Sequence, residues 1–440
     1  MIYLDYSATT PLIEEAREAM LIAMDLVGNP SSLHTPGHLA KNAIESARSK
    51  IAELIGANPS EIIFTSGGSE ANNTVTNIFA GQDVAVSAIE HPSLLESAKS
   101  RCEATIIPVD EDGKAPSDLS YLFLGHRSLG PSPGASSLSF APVVAKDPQK
   151  QISPVHSAQP ALISIMLANN EIGTINDIAT LAKQAHKAGA LFHTDATQAL
   201  GKIPIDVKKL GVDYMTISAH KIGGPVGIGA LYIKKGSPYK LFIIGGHQEN
   251  SRRAGTYQTV NIAGFGAAAE YVLKHNLPEV YSKKVRPLRD ELAQRILKEV
   301  PYSSLNTPLA LPNESQKTSK TSTDLKEADP TCLPHLLNCS FEAAEGESIQ
   351  LYLDAEGEII TSTGSACASG DGKPSHVIMA TRDDAEIAHS SVRFSLGPDT
   401  TETDINHVMK YLPNIVKRLQ GISTLKAGKV KKEDSYYGKK

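Results

Sequence analysis

Short apolar runs alternate with stretches of helical periodicity from about residue 50 to about residue 235. That alternation predicts a mostly parallel β-sheet covered by helices, the large domain of an α/β protein. The segment from about 265 carries Ala, Leu and charged residues at helical spacing through about Leu297. Shorter strands follow, and a C-terminal helix is expected near Glu402–Leu419. The chain is expected to comprise an N-terminal segment 1–15 packing with a small α+β domain, a large domain 16–260, and a part 261–440. That last part holds a connecting helix, the small domain and a tail. Two stretches break the rhythm, Leu124 to about Gln159 and Thr307 to about Thr331, both rich in Ser, Pro, Thr or Lys. They are expected to be surface insertions. The basic end from Lys426 reads as a solvated tail.

Candidate chemistry concentrates where apolar runs give way to polar loops. Thr216-Ile-Ser-Ala-His-Lys sets Lys221 between a buried run and a glycine-rich loop. A lysine becomes a nucleophile when desolvation or nearby positive charge exposes its amine, which suits a Schiff base to pyridoxal phosphate. Ser218 and His220 stand beside it and can hold a phosphate. In Phe192-His-Thr-Asp-Ala-Thr-Gln, Asp195 falls at the end of a predicted strand, where open α/β sheets place ligand groups. Read alone it is either a helix cap or the partner of a protonated pyridine nitrogen. Gln198 can reach a ring's phenolic oxygen.

Glu61-Ile-Ile-Phe-Thr-Ser-Gly-Gly-Ser-Glu runs from a strand through Gly68 and Ser69 into a helix expected near Glu70. Such a turn is either an ordinary capped loop or an anion site built on free amides. His91, ending Val84-Ala-Val-Ser-Ala-Ile-Glu-His, is either structural or able to stack on a planar ring.

In this order the segments resemble the class V aminotransferase group, and within it the NifS/IscS-type cysteine desulfurases. The resemblance spans nearly the whole chain. It takes in Tyr3-Leu-Asp-Tyr-Ser-Ala-Thr-Thr-Pro, Gly28-Asn-Pro-Ser-Ser-Leu-His, Ala168-Asn-Asn-Glu-Ile-Gly, Arg253-Ala-Gly-Thr, Ser362-Thr-Gly-Ser-Ala-Cys and Ser390-Ser-Val-Arg-Phe-Ser-Leu-Gly, besides the motifs above. It implies a fold-type I pyridoxal-phosphate enzyme and a homodimer. Lys221 would carry the cofactor, with Asp195, Gln198 and His91 addressing the ring. Gly68, Ser69, Ser218 and His220 would hold the phosphate, joined by Thr256 of a second subunit. Asn170 and Arg393 would orient the substrate, since guanidinium binds a carboxylate bidentately. The run into Thr256 departs from the family, with Asn250-Ser251 where Arg-Gly is usual.

Cys367 lies among small polar residues, Ser362-Thr-Gly-Ser-Ala-Cys-Ala-Ser-Gly-Asp-Gly, whereas Cys102, Cys332 and Cys339 read as buried and inert. An exposed loop thiolate can take sulfur from L-cysteine and pass it on. The resemblance therefore implies a desulfurase supplying an acceptor protein such as an iron–sulfur scaffold. The rivals are a selenocysteine lyase or other class V aminotransferase, and an inactive paralogue kept as a binding subunit. Keeping Lys221, Asp195, Cys367 and Arg393 together argues against the last.

Composition fits this frame. The chain has 440 residues, 41% of them hydrophobic, and a formal net charge of -5. That is enough apolar residue for a sizeable core, and nothing in the balance favours nucleic acid. No run approaches the roughly 18 apolar residues of a membrane span. The start, Met-Ile-Tyr-Leu-Asp, lacks the features of a signal peptide. The cysteine spacing matches no zinc pattern and no disulfide framework, so a cytoplasmic enzyme without metal is expected.

Overall fold

A computed structural model describes residues 1–123, 159–309, 331–364, 373–425 and 427–428. Its strands are β1 (Ile2–Tyr3), β2 (Ile62–Thr65), β3 (Asp83–Ser87), β4 (Glu103–Ile107), β5 (Leu162–Ser164), β6 (Leu191–Asp195), β7 (Tyr214–Ser218), β8 (Gly229–Ile233), β9 (Ser303–Leu305), β10 (Leu336–Phe341), β11 (Ile359–Ile360) and β12 (Ser391–Ser395). Seven of them form one sheet in the order β2-β8-β7-β6-β5-β3-β4. Only β8 runs against its neighbours. Strands β2, β5, β7 and β8 are buried along their whole length, which is why they read as apolar runs rather than as alternation. The strands β2, β3, β5, β6 and β7 therefore end on one edge, where their following loops converge.

The second part of the chain builds an antiparallel sheet β12-β10-β9 and a short parallel pair β1-β11. Asp5 bridges to Ser395, and Ile2 and Tyr3 pair with Ile359 and Ile360. The chain then crosses to the large sheet, where Thr10 N and Ile13 N donate to the carbonyls of His220 and Gly223. Residues 5–13 thus tie the two sheets together at the edge where the loops meet.

The stretch expected as one helix from 265 to 297 is broken. Helix Thr259–Lys274 stops before Asn276, whose φ of +45° is the left-handed cap that closes many helices. A turn Leu277–Val280 and a π-helical turn Tyr281–Val285 lead into helix Arg286–Glu299. Apolar spacing continues through the break, so periodicity alone misses it. The helix expected near Glu70 starts at Gly68, and the C-terminal helix is Glu402–Ile422, with Thr401 and Asp404 forming a capping box. Thr307, placed in the second insertion, is buried, and its Oγ1 accepts from Asn338 N. The insertion cores, Cys367 and the tail beyond Gly428 lie outside the described residues. Cys102, Cys332 and Cys339 are buried and unpaired, as the sequence suggests.

Candidate active site

The loops after β7, β6, β3 and β2 bring the sequence-derived candidates to the common sheet edge. Lys221 closes a short turn after β7 and its Nζ donates to the carbonyls of Ser7 at 2.5 Å and Ala8 at 2.7 Å. Asp195 ends β6 and is buried. Its Oδ2 accepts from Asn72 Nδ2 and its Oδ1 from Thr197 N, both at 2.9 Å. Both oxygens are thus held, and the carboxylate is fixed in direction. Gln198 is buried, and its amide donates to the Ser7 carbonyl at 2.9 Å. Lys221 and Gln198 therefore share one backbone acceptor.

His91 caps helix Pro92–Arg101, with Nδ1 accepting from Ser93 N at 3.1 Å and lying 2.8 Å from Ser93 Oγ. Its proton accordingly sits on Nε2 when the ring is neutral. Burial is the main force lowering its pKa, opposed by Asp195 and aided by Lys221 and His376. His220 is pushed down to about 4 by burial and by Lys221, and its Nδ1 lies 3.2 Å from Thr9 Oγ1. Ser218 is buried at the end of β7. The ring of His193, one layer below, bonds Ser164 and Thr216 and is pushed to about 4 by burial.

At the start of helix Gly68–Ile78, Gly67 adopts φ 152° and ψ -177°, a conformation open essentially only to glycine. The first-turn amides have no partner within the helix, and Ser69 among them is exposed. The turn is braced by Glu70, whose carboxylate accepts from Ser66 N at 2.7 Å and from Arg253 Nε and NH2 at 2.9 and 3.0 Å. Arg253 belongs to the same segment as Thr256, which is exposed in this chain. Three successive residues before it, Glu249, Asn250 and Ser251, have φ of 50°, 55° and 62°. Glu249 is locked there by a two-pronged bond from Arg48 at 2.7 and 2.8 Å.

Arg393 on β12 is 2% exposed. It donates to the carbonyl of Asn170 at 2.8 Å and to Asp5 Oδ1 at 2.8 Å, while its buried Nε has no partner among the described residues. Asn170 thus meets Arg393 through its backbone. Glu171, fully buried, accepts from Ser375 Oγ at 2.5 Å, and the Gly364 carbonyl lies 3.4 Å from Arg393 NH1. These contacts anchor the residues on either side of 365–372.

The edge fits a planar, phosphorylated, cationic-ring cofactor on its own atoms. Thr197 Oγ1 and Asn72 Oδ1 are buried with no partner among the described residues, and Thr197 Oγ1 lies 3.5 Å from where a Cβ on Gly68 would stand. Unsatisfied polar atoms between a strand-end carboxylate and a helix N-terminus are what a bound polar ligand would complete. Sequence reasoning missed Asn72, Thr197 and Ser7. Their roles depend on tertiary contacts across more than a hundred residues in several cases, and only the Tyr3–Pro11 motif gave any signal for Ser7.

A family model described as Aminotransferase class-V matches residues 2–122 and 145–408. A "Cysteine desulfurase IscS" of Dictyoglomus turgidum is 40% identical over 437 residues, covering 97% of each chain. A "Cysteine desulfurase" of Trichormus azollae is 38% identical over 433 residues, covering 97% of this chain and 95% of that one. Among solved structures, a NifS-like protein from Rickettsia africae superposes with a TM-score of 0.76 at 31% identity, over 95% of this chain and 99% of that chain. Another, described as a NifS-like protein, gives 0.75 at 30% identity, over 96% of this chain and 100% of that one. With the Lys221–Asp195 edge intact and the match running almost end to end, the chain belongs to the class-V aminotransferase family of pyridoxal-phosphate-dependent enzymes.

Proposed function

We propose that the protein is a cysteine desulfurase, which converts L-cysteine to L-alanine and transfers the sulfur to Cys367 as a persulfide. The observation that carries the reading is that Lys221 and Arg393 are anchored on one short segment of chain. The first donates to the Ser7 carbonyl and the second to Asp5 Oδ1. An amine and a guanidinium held by the same segment suit the two ends of an amino acid, one group handling the α-carbon and the other the carboxylate.

Pyridoxal 5'-phosphate, when bound, supplies an electron sink for the substrate's α-carbon. Asp195, held by Asn72 and Thr197, would pair with the ring nitrogen, and His91 and Gln198 would address the ring. Gly68 and Ser69 at the helix N-terminus would take the phosphate together with Ser218 and His220, with Thr256 contributed by the partner subunit. The Lys221 amine takes the proton from the substrate's α-carbon and returns it. Arg393 and Asn170 orient the substrate carboxylate. The Cys367 thiolate attacks the substrate sulfur. A sulfur–sulfur bond forms as the carbon–sulfur bond breaks, and the electron pair stays on the carbon fragment, which takes up a proton and leaves as alanine.

The persulfide suits delivery to an acceptor protein, such as the scaffold on which iron–sulfur clusters are built. A homodimer, with Thr256 exposed on this chain and reaching the partner's site, completes the reading. Among the described residues no helix is long and apolar enough to cross a membrane. The unpaired thiols suit a reducing compartment such as the cytoplasm. The test is to incubate the purified protein with L-cysteine and measure alanine. Catalytic formation of alanine supports the reading. Cofactor-loaded protein that forms none, or forms it only from selenocysteine, overturns it.

A further inference from the structure

Glu171 is a buried carboxylate to which the reaction as described gives no part. It follows Asn170 and is 3% exposed. Its backbone is fixed on both sides, since Glu171 N donates to Asn169 Oδ1 at 2.8 Å and Asn338 Nδ2 donates to its carbonyl at 3.0 Å. Its side chain is held by Ser375 Oγ, which donates to Oε2. The same oxygen lies 3.2 Å from where a Cβ on Gly364 would stand, and Gly364 has φ of +85°. A glycine lets the backbone come this close to the carboxylate in that conformation. One carboxylate oxygen therefore faces both Gly364 and Ser375, which flank the segment that carries Cys367.

Each flank is tied to the site by further contacts. Ser362 and Arg393 exchange backbone hydrogen bonds at 2.6 and 3.2 Å, and the Gly364 carbonyl lies 3.4 Å from Arg393 NH1. On the other side, His376 Nε2 donates to the carbonyl of Glu90, the residue before His91, at 3.0 Å. Val377 and Ile378 share an apolar cluster with Ile89, Met166 and Ile172. The chain before Cys367 is thus tied to Arg393, and the chain after it to the loops of His91 and Asn170. Glu171 meets both. Cys367 follows Gly364 by three residues, which keeps its Cα within about 11 Å of Gly364. Burying a carboxylate works against folding unless it is bonded, and an aliphatic side chain would fill the space at lower cost. What an aliphatic side chain would not supply is an acceptor for Ser375.

We propose that Glu171 is a positioning residue for Cys367. It holds the two ends of residues 365–374 together beside Arg393 and Asn170, and so sets where the thiol meets the substrate sulfur. The proposal rests on the desulfurase reading, in which Cys367 takes that sulfur.

The test compares Glu171→Ala, Glu171→Gln, Ser375→Ala and the double variant Glu171→Ala with Ser375→Ala against wild type. In the cofactor-loaded protein, alanine formation at saturating cysteine should fall on the order of ten- to a hundredfold in Glu171→Ala, the scale of a misplaced reacting group. Titrating cysteine against the cofactor absorbance band does not need Cys367, and its midpoint should stay near wild type. Glu171→Gln keeps an acceptor for Ser375 and should retain its turnover. The double variant should be no slower than Glu171→Ala, because both changes remove one bond. In the cofactor-free full-length chain, hydrogen exchange across residues 375–382 should quicken in Glu171→Ala and not in Glu171→Gln. Turnover unchanged in Glu171→Ala beside an active wild type overturns the proposal. So does a Glu171→Gln protein as slow as Glu171→Ala, or a cysteine midpoint that shifts as far as the turnover falls. Should Glu171→Ala fail to fold, Ser375→Ala is expected to lose turnover and Ser375→Thr, which keeps the hydroxyl, to retain it. Equal turnover in those two overturns the proposal. A wild type that forms no alanine overturns the desulfurase reading and this proposal with it, whereas the other contrary results overturn this proposal alone.

Discussion

Asn72 Nδ2 lies 2.9 Å from Asp195 Oδ2, inside the protein, and 3.0 Å from Ser93 Oγ. One amide therefore joins the helix after β2, the strand-end carboxylate and the helix capped by His91. Asn72→Leu removes the donor and leaves a buried carboxylate oxygen unsatisfied. The cofactor-free protein should lose about 1.5–3 kcal/mol, the usual cost for a hydrogen bond to a charged group. Denaturant unfolding beside wild type measures this, and coincident curves would refute it.

Ser251 has φ 62° where glycine is usual in the family. A non-glycine residue in the left-handed region costs about 1–2 kcal/mol. Ser251→Gly should therefore stabilise the protein by about 1 kcal/mol, provided the turn is retained. Arg48→Met acts in the opposite sense by stranding Glu249, which sits 3% exposed beneath the turn, at about 3–5 kcal/mol. A Ser251→Gly midpoint at or below wild type would contradict the strain argument.

His193 is pushed down to about 4 by burial. Between pH 6.5 and 4 the unfolded chain binds a proton here that the folded chain does not. This site therefore makes stability fall as pH drops through that window, with a slope of at most about 1.4 kcal/mol per pH unit. Above pH 6.5 its contribution is constant. His193→Gln should be less stable at pH 8, since the bonds to Ser164 and Thr216 change, but should lose less between pH 6.5 and 4. Parallel stability curves for the two proteins would rule this out.

Arg393 holds Asp5 and the Asn170 carbonyl, and its Nε has no partner among the described residues. Arg393→Lys keeps the charge but loses the fork that matches a carboxylate. The KM for cysteine should rise on the order of ten- to a hundredfold while cofactor content stays near wild type. Steady-state kinetics with a cofactor absorbance check decides it, and an unchanged KM would remove Arg393 from substrate binding.

Much of the fold was legible because buried parallel strands leave unbroken apolar runs, and Ile62–Thr65 and Tyr214–Ser218 stand where those runs are. The break at Asn276 was not legible, since it comes from one left-handed residue inside a continuing apolar period. At the site, Lys221 and Asp195 could be read from their strand-end positions. Asn72 could not, because nothing local marks it and its significance lies in a partner 123 residues away. Gln198 is expected to reach a ring oxygen, and the bond its amide also makes to the Ser7 carbonyl is a contact that no spacing along the chain announces.

The desulfurase reading stands or falls on where the sulfur goes. The decisive measurement is a short incubation of the cofactor-loaded protein with L-cysteine, quantifying alanine and mapping persulfide by peptide mass in wild type and in Cys367→Ser. A hydroxyl is a far poorer nucleophile toward sulfur than a thiolate. The account predicts alanine matched by persulfide on Cys367 in the wild type, with neither in the variant although cofactor and cysteine still bind. Alanine formed by Cys367→Ser at the wild-type rate, or persulfide on Cys102, Cys332 or Cys339 instead, would contradict it.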